Sequence, residues 1–198
     1  MFKSAIVAAS LLLVGASAAY VAFADDADVP ALSAEAAGLA KDYAQQLKVA
    51  LGGAMDSSGP LGALGVCHDA APAIAKAISS RSGWSVARTS LKPRNAASAP
   101  DDYERKVMED FEARIAKGEK AADLTSAEIV DDHGVEVFRF IKAIPTAAPC
   151  LTCHGGDVKA EVKAKIAELY PNDQALGFKL DDMRGVFTLQ KRLGAGSP

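Results

Sequence analysis

The run Cys150-Leu151-Thr152-Cys153-His154 constrains this chain more than any other feature of its sequence. Two thiols separated by two residues span one edge of a porphyrin, each adding to a vinyl group, and a histidine directly after the second reaches the iron as an axial ligand. The motif implies one covalently attached haem c, with Cys150 and Cys153 as attachment points and His154 as proximal ligand. Pro149 before it and Gly155-Gly156 after it let the backbone turn tightly around a macrocycle. A fold built on this motif must wall a flat apolar disc. Competing readings are weaker. A thioredoxin-like dithiol belongs in a βαβ unit, an order this chain lacks. A zinc site would need further ligands, and only Cys67, His68 and His133 could supply them. A disulfide across Cys150 and Cys153 would close a very small loop and contribute little.

The first residues agree with export. Lys3 precedes a largely apolar stretch from Ala5 to Val14, and Ala22-Phe23-Ala24 is a small-x-small cleavage pattern followed by Asp25-Asp26. Residues 1–24 are expected to be a signal peptide; the alternative is an uncleaved membrane anchor, since Ala5 to Ala24 just reaches spanning length. Either places the domain outside the cytoplasm, and thioether attachment of haem also happens there, so a periplasmic location is expected. Residues 25–32 read as an acidic linker and 33–198 as a single domain, long enough to bury a core without disulfides. Loss of residues 1–24 would leave 21 basic against 25 acidic residues, a formal charge of −4. That balance speaks against nucleic acid and against a polybasic lipid contact. No second hydrophobic span follows, so the cleaved chain is expected to have no membrane span.

Periodicity organises the rest. Leu39, Tyr43, Leu47, Leu51 and Met55 form a helical stripe over 33–55, which Ser57-Ser58-Gly59-Pro60 should stop. Leu64, Cys67, Ala71, Ile74 and Ile78 mark a second helical stretch, with a break near Asp69 because Pro72 falls inside it. Trp84 to Leu91 reads as a strand with Trp84, Val86, Arg88 and Ser90 on one side. Asp101-Asp102 caps a third helix carrying Tyr103, Val107, Phe111 and Ile115, ended at Gly118. Ala127 to Asp131 and Val135 to Ile144 should pair around Asp132-His133-Gly134. Val158, Val162, Ile166 and Leu169 mark a fourth helix. Phe178 to Leu180 and Val186 to Leu193 suggest a last hairpin around residues 181–185. About four helices and five short strands predict an α+β domain with one antiparallel sheet.

Haem attachment uses two cysteines and leaves Cys67 on the apolar side of its helix. As a free thiol it is either a small buried hydrophobe or the sixth iron ligand as thiolate. His68 offers imidazole ligation instead, an open or water-bound site is a further option, and Met55 and Met183 are weaker ones. His133 reads as a surface turn residue. Haem propionates need cationic partners, and the stretch from Arg88 through Lys92 and Arg94 to Asn95 supplies three, with Arg88 and Arg94 suited to forked carboxylate pairing. A solvated basic loop reads equally well from these residues.

Four stretches together resemble a known family: Val66-Cys67 with Ala70 to Ala75; Arg88 to Asn95 with Ala99-Pro100 and Glu104; Pro149 to Gly155; and Tyr170 to Phe178 running into Arg184-Gly185. The family is that of exported c-type haem domains, the Tll-like haem domains, long catalogued as a domain of unknown function. The resemblance implies a PAS-like five-stranded antiparallel sheet flanked by helices, and the ligand pair His154 and Cys67. Two positions differ from the family pattern: His68 follows Cys67, and Ala96-Ala97 stand where proline usually follows the asparagine. A thiolate ligand stabilises ferric iron and would weaken on reduction. The expected function is therefore a redox or diatomic-gas sensor signalling to a separate partner protein. A small electron-transfer cytochrome is the alternative. An enzyme ranks last, because no catalytic constellation stands out beyond the haem.

Overall fold

The computed structural model describes residues 28–194, so the expected signal or anchor segment at 1–24 lies outside the described residues. Helix α1 runs Val29–Gly65, starting four residues before the expected domain boundary. Asp28 caps it by accepting from the Ala31 amide at 3.0 Å, and Pro30 sits in the first turn, where no amide is needed. The expected stop at Ser57-Ser58-Gly59-Pro60 is instead a kink: Gly59 takes φ 62, ψ −166, and helix resumes at Pro60. Only a residue without Cβ takes that conformation readily.

The break foreseen near Asp69 appears as a π-turn, Val66–Ala70, followed by α2 at Ala71–Ser82 with Pro72 in its first turn. Then come β1 (Ser85–Thr89), α3 (Asp102–Ile115), β2 (Thr125–Asp132), β3 (Val135–Pro145), α4 (Leu151–His154), α5 (Ala160–Leu169) and β4 (Met183–Arg192). Among the described residues no helix is long and apolar enough to cross a membrane.

The sheet is antiparallel throughout, in the order β1-β4-β3-β2. The β2–β3 hairpin closes at His133-Gly134, both with positive φ, as a two-residue turn with the strands' own twist requires. This corrects the sequence expectation of five strands. Phe178 to Leu180 form no strand, because β4 is already flanked by β1 on one side and β3 on the other. The amides of Gly177 and Phe178 pair with the carbonyls of Gly155 and His154 instead. The expected turn at 181–185 also shortens, since Met183, Arg184 and Gly185 are in β4.

Alternation along β3 sorts the core. Phe138 and Phe140 face α1 and α2, where they join Ala36, Ala40, Tyr43, Ile78, Trp84, Val86, Phe187 and Leu189. Ile141 and Ala143 face α3, with Met108, Phe111, Leu124 and Val186. Arg139 is on the α3 side as well, 2.7 Å from Asp101 and 3.3 Å from Glu104, while Thr188 donates to Glu104 at 2.7 Å. Asp101 and Glu104 are also the reciprocal cap of α3, a device worth about 1 kcal/mol. Met183 belongs to this α3-side core, so it is no candidate iron ligand. Leu51 and Met55 are half-buried beyond the sheet, and His133 is fully exposed at its turn. A third, smaller cluster unites Leu64 with Val158, Val162, Ile166 and Tyr170, and Cys153 packs against it.

Candidate functional site

Beyond Pro145 the chain turns through a short 3-10 segment, Ala148–Cys150, into the single turn of α4. Cys150 and Cys153, three residues apart across that turn, share one side of it. The loop that follows α5 folds back over the motif. Gln174 donates to Pro93 O at 3.0 Å, Gly177 to Gly155 O at 3.1 Å and Phe178 to His154 O at 2.9 Å. The motif, the loop after β1 and the 170–178 loop are thereby one unit.

His154 lies 2.9 Å through Nδ1 from the carbonyl of Ala175, and Arg184 Nε is 3.2 Å from the same nitrogen. One nitrogen cannot donate to the carbonyl and accept from the guanidinium at once. The carbonyl contact is the shorter, and it requires Nδ1–H, which leaves the Nε2 lone pair free for a metal. Burial, followed by the charges of Arg184, Arg94 and Arg88, pushes His154 down to about 2, so the ring is neutral. Phe178 stands edge-on to it at 6.2 Å, with Arg184 and Lys92 near its own ring at 5.2 and 5.4 Å.

Arg94 was expected to serve a haem propionate. Its side chain is only 6% exposed, and Nε and Nη2 go to protein acceptors: Asp173 Oδ1 at 3.1 Å and Oδ2 at 3.3 Å, Cys153 O at 2.6 Å and Ala175 O at 3.0 Å. It is a latch across the motif. Arg88 stays by the site, its Nε donating to the Tyr43 hydroxyl at 3.2 Å, which in turn donates to Ala71 O at 2.9 Å. The cation that sequence reasoning left without a role is Arg184. It donates through Nη1 to Ser90 Oγ at 3.1 Å, and burial, then Arg94 and Arg88, push it down to about 10. Neither Arg88 nor Arg184 has a carboxylate partner among the described residues. Sequence reading marked Arg184 only as part of a stretch that resembles the family, because an isolated cation at the head of a strand carries no chemical pattern of its own.

Cys67 lies on the π-turn, half-buried, three residues after the Leu64 that packs toward Cys153. Burial first, and negative charge at Cys67 after it, oppose ionisation of Cys153 and Tyr170. The Cys153 thiol is pushed up chiefly by burial. His68 turns outward: its side chain is 44% exposed, Nδ1 meets Asp69 at 2.6 Å, and the ring lies 5.5 Å from Tyr170.

These residues fit a haem. Two thiols share one side of a helical turn, a neutral imidazole is held by a carbonyl at Nδ1, and unpaired guanidiniums await carboxylates. Among the described residues no three His, Cys, Asp or Glu side chains converge as a bare metal site would require. All three cysteines are free thiols.

Comparison with known proteins bears on the fold and the family. No curated protein matches the chain. Among solved structures, the cyanobacterial haem protein Tll0287 shares its fold, with a TM-score of 0.65 and 21% identity over 85% of this chain and 99% of that one. The family model described as Tll0287-like matches residues 16–191, nearly the whole chain, and the protein is therefore a member of the Tll0287-like family.

Proposed function

We propose that this protein is an exported haem protein that senses redox state or a diatomic gas. One haem c would be attached at Cys150 and Cys153, with His154 Nε2 and Cys67 Sγ as axial ligands. Bound there, the haem supplies a redox-active, ligand-binding iron. Arg88 and Arg184 would take the propionates, while Arg94 holds the motif. The observation that carries the reading is Cys67 on its π-turn, three residues after the Leu64 that packs with Cys153. A π-turn is a strained insertion in a helix and commonly marks a functional site. Release of Cys67 would let that turn relax, and α2, which begins at Ala71, would carry the movement to the surface. The PAS-like arrangement belongs to this proposal, carried on four strands, as do the periplasmic location, a separate signalling partner and the absence of an enzymatic role.

The test is the absorption spectrum of the purified protein, ferric and reduced, with a pyridine haemochrome assay. A haem c signature with a ferric thiolate charge-transfer band, changed on reduction, supports the reading. His68 gives the electron-transfer alternative its footing, because it adjoins Cys67 and its Nε2 has no partner among the described residues. An unchanging bis-imidazole spectrum in both states would make that alternative correct. Protein without haem, from a host that matures c-type cytochromes, would sink both.

A further inference from the structure

His154 and Arg94 meet at one atom. The carbonyl oxygen of Ala175 lies 2.9 Å from His154 Nδ1 and 3.0 Å from Arg94 Nη2. Arg94 is 6% exposed and its counter-charge Asp173 is 7% exposed, so neither is screened by water. Asp173 also accepts from the Ala175 amide at 2.9 Å, which ties down the residue whose carbonyl is shared, through its preceding peptide.

A histidine that binds a metal through one nitrogen is tuned by what its other nitrogen donates to. A strong acceptor draws the Nδ1 proton away, gives the ring imidazolate character and makes Nε2 a better donor. An acceptor already engaged by a cation does this less well, because its electron density is shared. We propose that Arg94 is a positioning residue for His154: through the Ala175 carbonyl it limits the basicity of the ring and so biases the bound iron toward the ferrous state. The inference rests on His154 being the proximal ligand. Arg184 Nε, 3.2 Å from the same Nδ1, cannot play this part, because a protonated Nδ1 has no in-plane lone pair to accept its N–H.

The substitutions Arg94→Gln and Arg94→Lys separate charge from geometry. Lysine keeps the cation but has a single ammonium in place of the fork that reaches Asp173 and Ala175 together. The expected result is a ferric–ferrous equilibrium displaced toward ferric by about tenfold, ~59 mV for a one-electron couple, in both variants, measured on haem-loaded protein. Nitrogen NMR of the apoprotein is the second readout. The Nδ1–H of His154 should shift toward a more strongly hydrogen-bonded proton in both variants, with its tautomer unchanged. Rescue of the wild-type equilibrium by Arg94→Lys would overturn the shared-carbonyl role. An unmoved equilibrium and an unmoved His154 signal in both would overturn any tuning role. If a variant fails to retain haem, the apoprotein signal decides alone. Wild-type protein without haem would instead overturn the proposed function, with the NMR comparison still reporting on the Arg94–His154 coupling.

Discussion

Two adjacent glycines after the Cys/His motif make a controlled experiment. A Cβ built on Gly155 would lie 2.7 Å from the carbonyl oxygen of Leu151, whereas one on Gly156 would meet nothing within 4 Å. The Leu151 oxygen is backbone, and it also accepts the Gly155 amide at 3.0 Å in closing α4. Alanine at 155 must therefore push that carbonyl away and break the turn's closing hydrogen bond. Overpacking costs about 1–3 kcal/mol and the lost bond about 0.5–1.5 kcal/mol, so Gly155→Ala should destabilise by roughly 2–4 kcal/mol. For a domain of this size the melting temperature falls by roughly 5–15 °C. The displaced turn carries both thiols and His154, so haem attached per chain should fall as well, read by pyridine haemochrome against total protein. Gly156→Ala should change stability by no more than about 0.5 kcal/mol and leave the haem content alone. Equal melting temperatures and equal haem content in the two variants would refute the close approach at Gly155 and, with it, the one-turn geometry assigned to the motif.

Cys67→Ala should abolish the ferric thiolate band while His68→Ala preserves it; the reverse pattern would transfer the sixth position to His68. Glu104→Ala should cost about 3–5 kcal/mol in urea unfolding, because buried Arg139 and Thr188 lose their shared acceptor; a cost below ~1 kcal/mol would show that water replaces the carboxylate. Tyr103 is pushed up to about 12 by burial and by its hydrogen bond to Glu128. Its neutral phenol is favoured in the folded state, so its contribution is intact below pH 10 and lost as pH rises toward 12. Tyr103→Phe should therefore flatten the fall in stability across that window relative to wild type, followed by alkaline melting.

The fold was legible wherever one residue enforced a local geometry. Asp101-Asp102 announced the start of α3, Gly118 its end, and His133-Gly134 the hairpin. Pro72 announced the break in the helix that bears Cys67, although no local rule distinguishes a π-turn from an ordinary stop. The fifth strand failed for a reason local pattern cannot contain. Whether Phe178 to Leu180 pair with β4 depends on whether β4 has a free edge, and that is decided by β1 and β3, far away in sequence. Likewise α1 outran its expected end because Gly59 can bend a helix as well as end one.

The site divides along the same line. Cys150, Cys153 and His154 lie in one short motif, and the haem reading of them follows from spacing alone, while Cys67 was one of several candidates until the family resemblance implied it as second ligand. The cations show where such reasoning stops. Arg88, Lys92 and Arg94 lie within seven residues and look interchangeable, yet one is held by Tyr43, one lies over Phe178, and one is buried against Asp173. What separates them is the 170–178 loop, whose Asp173 and Ala175 come some eighty residues later. A buried guanidinium is tolerable only beside a carboxylate, and there is one such carboxylate here for three guanidiniums. Arg94 takes it. Arg88 and Arg184 are left with uncompensated charge in a partly desolvated site, a state that is costly in the protein alone and is relieved by a ligand that brings two carboxylates of its own. Haem would be such a ligand, so the imbalance that looks like a defect in the bare chain is a further argument for the proposed function.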